Sequence, residues 1–169
     1  MQRASELYER IQTIEPRHVM SLNNQAMIAK ALGRLDLSIQ MLKEAFLKEP
    51  ENFEVLANLG RVSLQSNQIA QAEQYLQEAL IIRPGDINLG TSLGKVLLMQ
   101  GKYDEAKKML QTFQDHEPQN FDVLFTLGLI AEKKNDDGQA HYYFVRAGRI
   151  KPDDDRVVEK LGTSPLDVY

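Results

Sequence analysis

Apolar residues along this chain return at three- and four-residue intervals, the spacing of one helix face. Leu56 and Leu59, with Ser63 in line, make one stripe; Ile69, Leu76 and Ala79 make another. Helix stops stand between such stripes. Gly33, Asn67, Gly101 and Asn135 lie 34 residues apart. Gly and Asn tolerate the left-handed backbone that ends a helix. Asn52, Asp86, Asn120 and Asp154 keep the same step, each two residues after a proline, where a side-chain oxygen caps the next helix. The prolines are Pro16, Pro50, Pro84, Pro118 and Pro152. None can continue the helix before it.

The pattern therefore repeats as helix, tight turn, helix, proline turn. Small residues hold fixed places in it. Gly60, Gly94, Gly128 and Gly162 form one series, with Ala26 at its head, and Ala72, Ala106 and Ala140 another, led by Ser38. A third series, Ala45, Ala79 and Ala147, is interrupted by Phe113. Small side chains let a neighbouring helix approach closely. One hairpin cannot bury its own apolar face, whereas stacked hairpins can. The expected fold is all-α, an α-α superhelix (solenoid) of stacked antiparallel helix hairpins with about ten helices. Full units are expected at 19–52, 53–86, 87–120 and 121–154. A lone second helix at 2–15 precedes them within half-unit 1–18, and a terminal helix at 153–162 and a tail at 163–169 follow. The unbroken period predicts one array over 1–169.

With Val19, Phe53, Ile87 and Phe121 as position one, Leu59, Gly60, Ala72 and Pro84 stand at positions seven, eight, twenty and thirty-two. Leu127, Gly128, Ala140 and Pro152 stand there again. This arrangement resembles the tetratricopeptide repeat (TPR) family over nearly the whole chain. Gln25, Ala26, Ser38 and Gly90 depart from the family pattern. Gly90 replaces the Leu found at 22, 56 and 124, and a mid-helix Gly costs about 1 kcal/mol relative to Ala. The Phe113 ring is expected to fill the space beside it.

The chain has 169 residues, no cysteine and a net charge of −4, with acids and bases interleaved. No basic stripe invites nucleic acid, and no apolar run reaches the roughly 20 residues of a membrane span. Residues 1–18 are amphipathic and charged, unlike a signal peptide. The half-units at both ends fit either capping helices or a segment of a longer protein. The cytoplasm is the default compartment, and the periplasm follows if the longer protein is exported.

Nothing here predicts an enzyme, a cofactor or a metal. Gly90–Lys95 imitates a phosphate loop, but Leu89 and Val96 stand where that motif needs Gly and Ser or Thr. His18, His116 and His141 lack metal-ligand spacing. Asp153–Asp155 and the Asp136–Asp137 pair suit helix starts, where acids meet free amides and the dipole. No Gly-x-Ser-x-Gly elbow occurs. The stretch Gly138–Phe144 is similar to repeat segments attached to bacterial metallopeptidases, which supplies an alternative: a docking segment of a larger enzyme. A further alternative is self-assembly through the end helices.

The leading expectation is a non-catalytic scaffold that binds a protein or peptide partner. The first helices should line the concave side. The TPR resemblance implies that positions two, five, six, nine, twelve and thirteen face that groove. The expected groove residues are Asn23, Asn24, Met27, Asn58, Arg61, Gln65, Asn88, Thr91, Lys95, Phe125 and Leu129, with Met20, Ser92, Asp122 and Glu132 nearby. An internal comparison agrees with this. Segments 49–62 and 117–130 keep Phe, Val, Leu, Leu and Gly in register, while Ala57, Asn58 and Arg61 become Phe125, Thr126 and Leu129. Arg61 and Lys95 suit a ligand carboxylate, the asparagines a peptide backbone, and Phe125 an apolar anchor. The carboxylate clamp of chaperone-tail binders in this family does not fit. Of Asn23, Met27, Asn58, Asn88 and Ser92, only Asn58 matches it, and in the next window Ala57, Arg61, Ser92, Asp122 and Thr126 do not.

Overall fold

The structure, a computed structural model, describes residues 18–162. These residues form α1 (Val19–Ala31), α2 (Leu35–Lys48), α3 (Phe53–Gln65), α4 (Ile69–Ile82), α5 (Ile87–Met99), α6 (Tyr103–His116), α7 (Phe121–Lys133), α8 (Asp137–Ile150) and α9 (Asp155–Leu161). No strand occurs among them. The helix expected at 2–15 and the tail at 163–169 lie outside the described residues.

The helix boundaries follow from local chemistry. Gly33, Asn67, Gly101 and Asn135 take φ of 75°, 56°, 76° and 57°. After each, the next amide reaches back around the turn: Arg34 N–H donates to Ala29 O at 2.9 Å, Gln68 to Ser63 at 2.8 Å, Lys102 to Leu97 at 2.9 Å and Asp136 to Ala131 at 3.0 Å. Carbonyls left open at the helix end are thereby satisfied. The following helix then starts in the opposite direction. At the proline turns, Asn52, Asp86 and Asn120 accept from the amides of Val55, Leu89 and Val123 at 3.2, 3.0 and 3.2 Å. Asp154 accepts from Arg156 N–H at 3.1 Å. His18 holds the corresponding place before α1 and makes no such bond.

The chain divides into two compact units, Met1–Pro84 and Gly85–Tyr169. In the first, hairpins α1–α2 and α3–α4 stack through α2 against α3. Val19, Leu22, Leu42, Val55, Leu59 and Val62 fill the seam, flanked by the partly buried Phe46 and Tyr75. Each such side chain contributes about 1.5–3 kcal/mol on burial. In the second unit, α5–α6 stacks on α7–α8, and α9 packs on α8.

Small residues set the distance between the helices of a hairpin. A Cβ at Gly60, Gly94 or Gly128 would lie 2.6, 2.8 or 2.6 Å from Leu76, Leu110 or Phe144. Gly162 keeps the period but not the role: it ends α9 at φ 72°. The first hairpin uses Ala26 and Ser38 instead, and the Ser38 hydroxyl donates to Ala26 O at 2.7 Å. The departure from the repeat pattern is thus locally compensated. The third hairpin compensates as expected. Phe113 is buried, and its ring would meet a Cβ at Gly90 at 2.2 Å.

Candidate functional site

In the first unit, α1 and α3 carry the polar residues expected to face a ligand. Asn58 is buried, and its amide bonds on both sides. Its Nδ2 donates to Asn23 Oδ1 at 2.8 Å, and its Oδ1 accepts from Arg61 Nη2 at 2.7 Å. A three-residue relay therefore ties the two helices and fixes the Arg61 guanidinium. The Nε of Arg61 is shielded from solvent and has no hydrogen-bond partner. Asn24 and Gln65 are exposed, and Met27 is half-buried. Lys30, half-buried at position twelve of its repeat, completes the face. Burial, and then the Arg61 charge, push its ammonium below the ordinary lysine range.

In the second unit, the expected residues fall into two groups. On α5, Asn88 is exposed and Thr91 is buried. The hydroxyls of Thr91 and Ser92 donate to Ile87 O and Asn88 O at 2.7 and 2.8 Å, within their own helix. Lys95 faces Asp122 of α7, Nζ to Oδ1 3.6 Å. Its charge thus already has a carboxylate.

The other group is aromatic. Phe125 stacks on Phe121 at 5.8 Å between centroids and tilts against Phe144 at 5.4 Å. Only 6 % of Phe125 is exposed. Cations of α9 lie over these rings. Arg156 is 5.0 Å from the Phe121 centroid and 5.1 Å from that of Phe125, and Lys160 is 5.9 Å from Phe144. Both are pinned by acids: Arg156 bonds Asp154 at 2.8 Å, and Lys160 bonds Glu132 at 2.8 Å. Leu129 is half-buried beside this cluster. Phe125 is therefore a covered ring in this structure, with α9 and its guanidinium above it.

Sequence reasoning did not single out Lys30, Arg156 or Lys160. Lys30 occupies a groove position by the family pattern, so its place in the repeat was the available signal. Arg156 and Lys160, four residues apart, share one face of the terminal helix. Among the described residues, no group of His, Asp or Glu could hold a metal ion, and no helix is long and apolar enough to cross a membrane.

Capped helix hairpins at a 34-residue period, with small residues at their crossings, define a protein-interaction repeat of the tetratricopeptide class. More narrowly, the chain belongs to the family described as the cytochrome c-type biogenesis protein H TPR domain, whose family model matches residues 1–158. No curated protein sequence matches it. Among solved structures it is similar to YrrB, described as a TPR protein with an unusual peptide-binding site. The TM-score is 0.79 at 20% identity, covering 95% of this chain and 83% of that one. It is also similar to Pseudomonas aeruginosa pilF, at TM-score 0.75 and 25% identity over 94% and 72% of the two chains. MamA gives 0.74 and 21% over 85% and 84%.

Proposed function

We propose that this chain is a non-catalytic scaffold that holds a peptide or helical segment of a partner protein along its first helices, in the service of c-type cytochrome biogenesis. The process is taken from the family's description. The mode of action is carried by one observation: the buried Asn58 amide holds Asn23 and Arg61 in fixed positions across α1 and α3. A buried polar network with both bonds made is rigid. Rigid donors and acceptors on a helix face suit a backbone and its side chains without ordering cost at the moment of binding. The peptide-binding description of YrrB accords with this reading.

Affinity capture tests it, with a random-peptide display library and with extracts of cells that make c-type cytochromes. The wild-type chain should enrich a defined set of peptides. A variant with Asn24→Ala, Met27→Ala and Gln65→Ala changes side chains outside the core and should release them while keeping its helical circular dichroism. Equal retention by that variant would move binding off this face.

A further inference from the structure

We propose that Lys30 and Arg61 together form a carboxylate-binding site on the face shared by α1 and α3, taking an acidic group of the bound peptide. The inference rests on the peptide-binding reading and specifies its chemistry. It also separates Arg61 from Lys95, the cation with which the sequence grouped it, because Lys95 faces Asp122.

Three observations carry it. First, these are two half-buried cations within electrostatic reach of each other, and among the described residues neither has a carboxylate within ion-pair distance. Among the basic residues on the other first helices, Lys95, Arg156 and Lys160 each face an acid. Second, Arg61 is held in place. Its Nη2 bonds to Asn58, which is itself fixed by Asn23. Its Nε is shielded from solvent and unpartnered. A guanidinium fixed in this way is preorganised for a planar acceptor. Third, the two like charges oppose each other, and burial costs both of them hydration. The depressed ammonium of Lys30 records its burial first and that opposition second. A carboxylate placed between them would replace a repulsion by two attractions, with charge-assisted hydrogen bonds from both sides. Phosphate esters share some of this chemistry, but the neighbouring Asn23, Asn24 and Met27 suit a peptide chain and offer no further cation.

The test is selection from the same random-peptide display library, followed by binding measurements on the enriched peptides made with free or amidated C-termini. Wild type should enrich peptides with an Asp, a Glu or a C-terminal carboxylate at one fixed place. The Lys30→Gln/Arg61→Gln variant should lose that preference and bind such peptides about tenfold to a hundredfold more weakly, the range of one charge-assisted contact. A Lys30→Arg/Arg61→Lys variant should keep the preference, which separates charge from fold. If amidation abolishes binding, the group is the C-terminal carboxylate; if not, it is a side chain. Either result supports the site. Enriched peptides that share no acidic side chain and bind equally well when amidated, or a preference that survives in the double glutamine variant, overturn the site and leave peptide binding standing. Enrichment of no peptide by the wild type overturns both.

Discussion

At the scale of single residues, the odd pair Gly90 and Phe113 is the sharpest case. The other hairpins place Leu22, Leu56 or Leu124 where Gly90 stands, and Ala45, Ala79 or Ala147 where Phe113 stands. Volume has moved from one helix to its neighbour, and the packed ring occupies the space a side chain would need. Interiors are close-packed, so both halves of such an exchange are felt. Gly90→Leu should destabilise by overpacking, and Phe113→Ala by about 3–5 kcal/mol through a cavity. The double variant restores the arrangement of the other repeats and should recover part of the loss. Urea unfolding of the four proteins should give a coupling energy of about 1 kcal/mol or more. Additive losses would mean that the two residues do not share one space.

A second prediction at this scale concerns Lys30. Its lowered value comes first from burial and then from the charge of Arg61. Arg61→Gln removes the second cause only. The Lys30 ammonium should then titrate at higher pH than in the wild type, still below an unburied lysine. The folded-state value is depressed, so the unfolded chain binds the proton more tightly. Stability therefore rises with pH through the window between the lowered value and about 10.4, the ordinary lysine value. Nitrogen NMR of labelled lysine reads the shift directly, and an unmoved titration would remove Arg61 from the account.

Single elements of this fold are defined mainly by their ends. The stops and caps were legible because few residues satisfy a left-handed turn or an open amide, and both recur at the same step. Gly33, Asn67, Gly101 and Asn135 take the positive φ that their residue types allow. Gly162 keeps the step of the small residues at the helix crossings but ends a helix instead, because no further second helix among the described residues crosses it. Period alone does not distinguish these two uses of glycine. The covering of Phe125 was not legible for a similar reason. It depends on α9 folding back over the last hairpin, a long-range event that repeat phase does not encode.

Helix α9 has only seven residues, so its stability comes from its cap and its ion pairs rather than from length. Asp154 both caps it and hydrogen-bonds Arg156. The Arg156 guanidinium hydrogen-bonded to Asp154 holds that carboxyl below the usual carboxylate range. A depressed folded-state value means the stabilisation is fully present above about pH 4, the ordinary aspartate value, and is lost as pH falls through the lowered one. Asp122 and Glu132 also face the cations of α9 from α7, so the test must isolate Asp154. Asp154→Asn keeps the capping oxygen and removes the charge. Amides of Val157–Leu161 should exchange faster in this variant than in the wild type at neutral pH. The two proteins should converge once acid has protonated Asp154. Equal exchange at neutral pH would assign the hold on α9 to packing alone.

For the whole molecule, net charge opposes the proposed ligand. The chain carries −4, so its distant field repels an acidic peptide and attracts a basic one. Selection of acidic peptides therefore has to come from a local pair of cations acting at contact. The two contributions respond differently to salt. Charges more than a Debye length apart, about 10 Å at 0.1 M, are largely screened, whereas a half-buried pair is screened much less. Raising ionic strength should first remove the repulsion. The association rate of an acidic peptide should stay level or rise between about 0.02 and 0.2 M salt, while its dissociation rate increases only modestly. Stopped-flow measurements with a labelled acidic peptide from the display selection separate the two rates. A steep fall in the association rate with salt would indicate a broad basic surface steering the peptide. That outcome would contradict both the acidic balance of the chain and the assignment of recognition to Lys30 and Arg61.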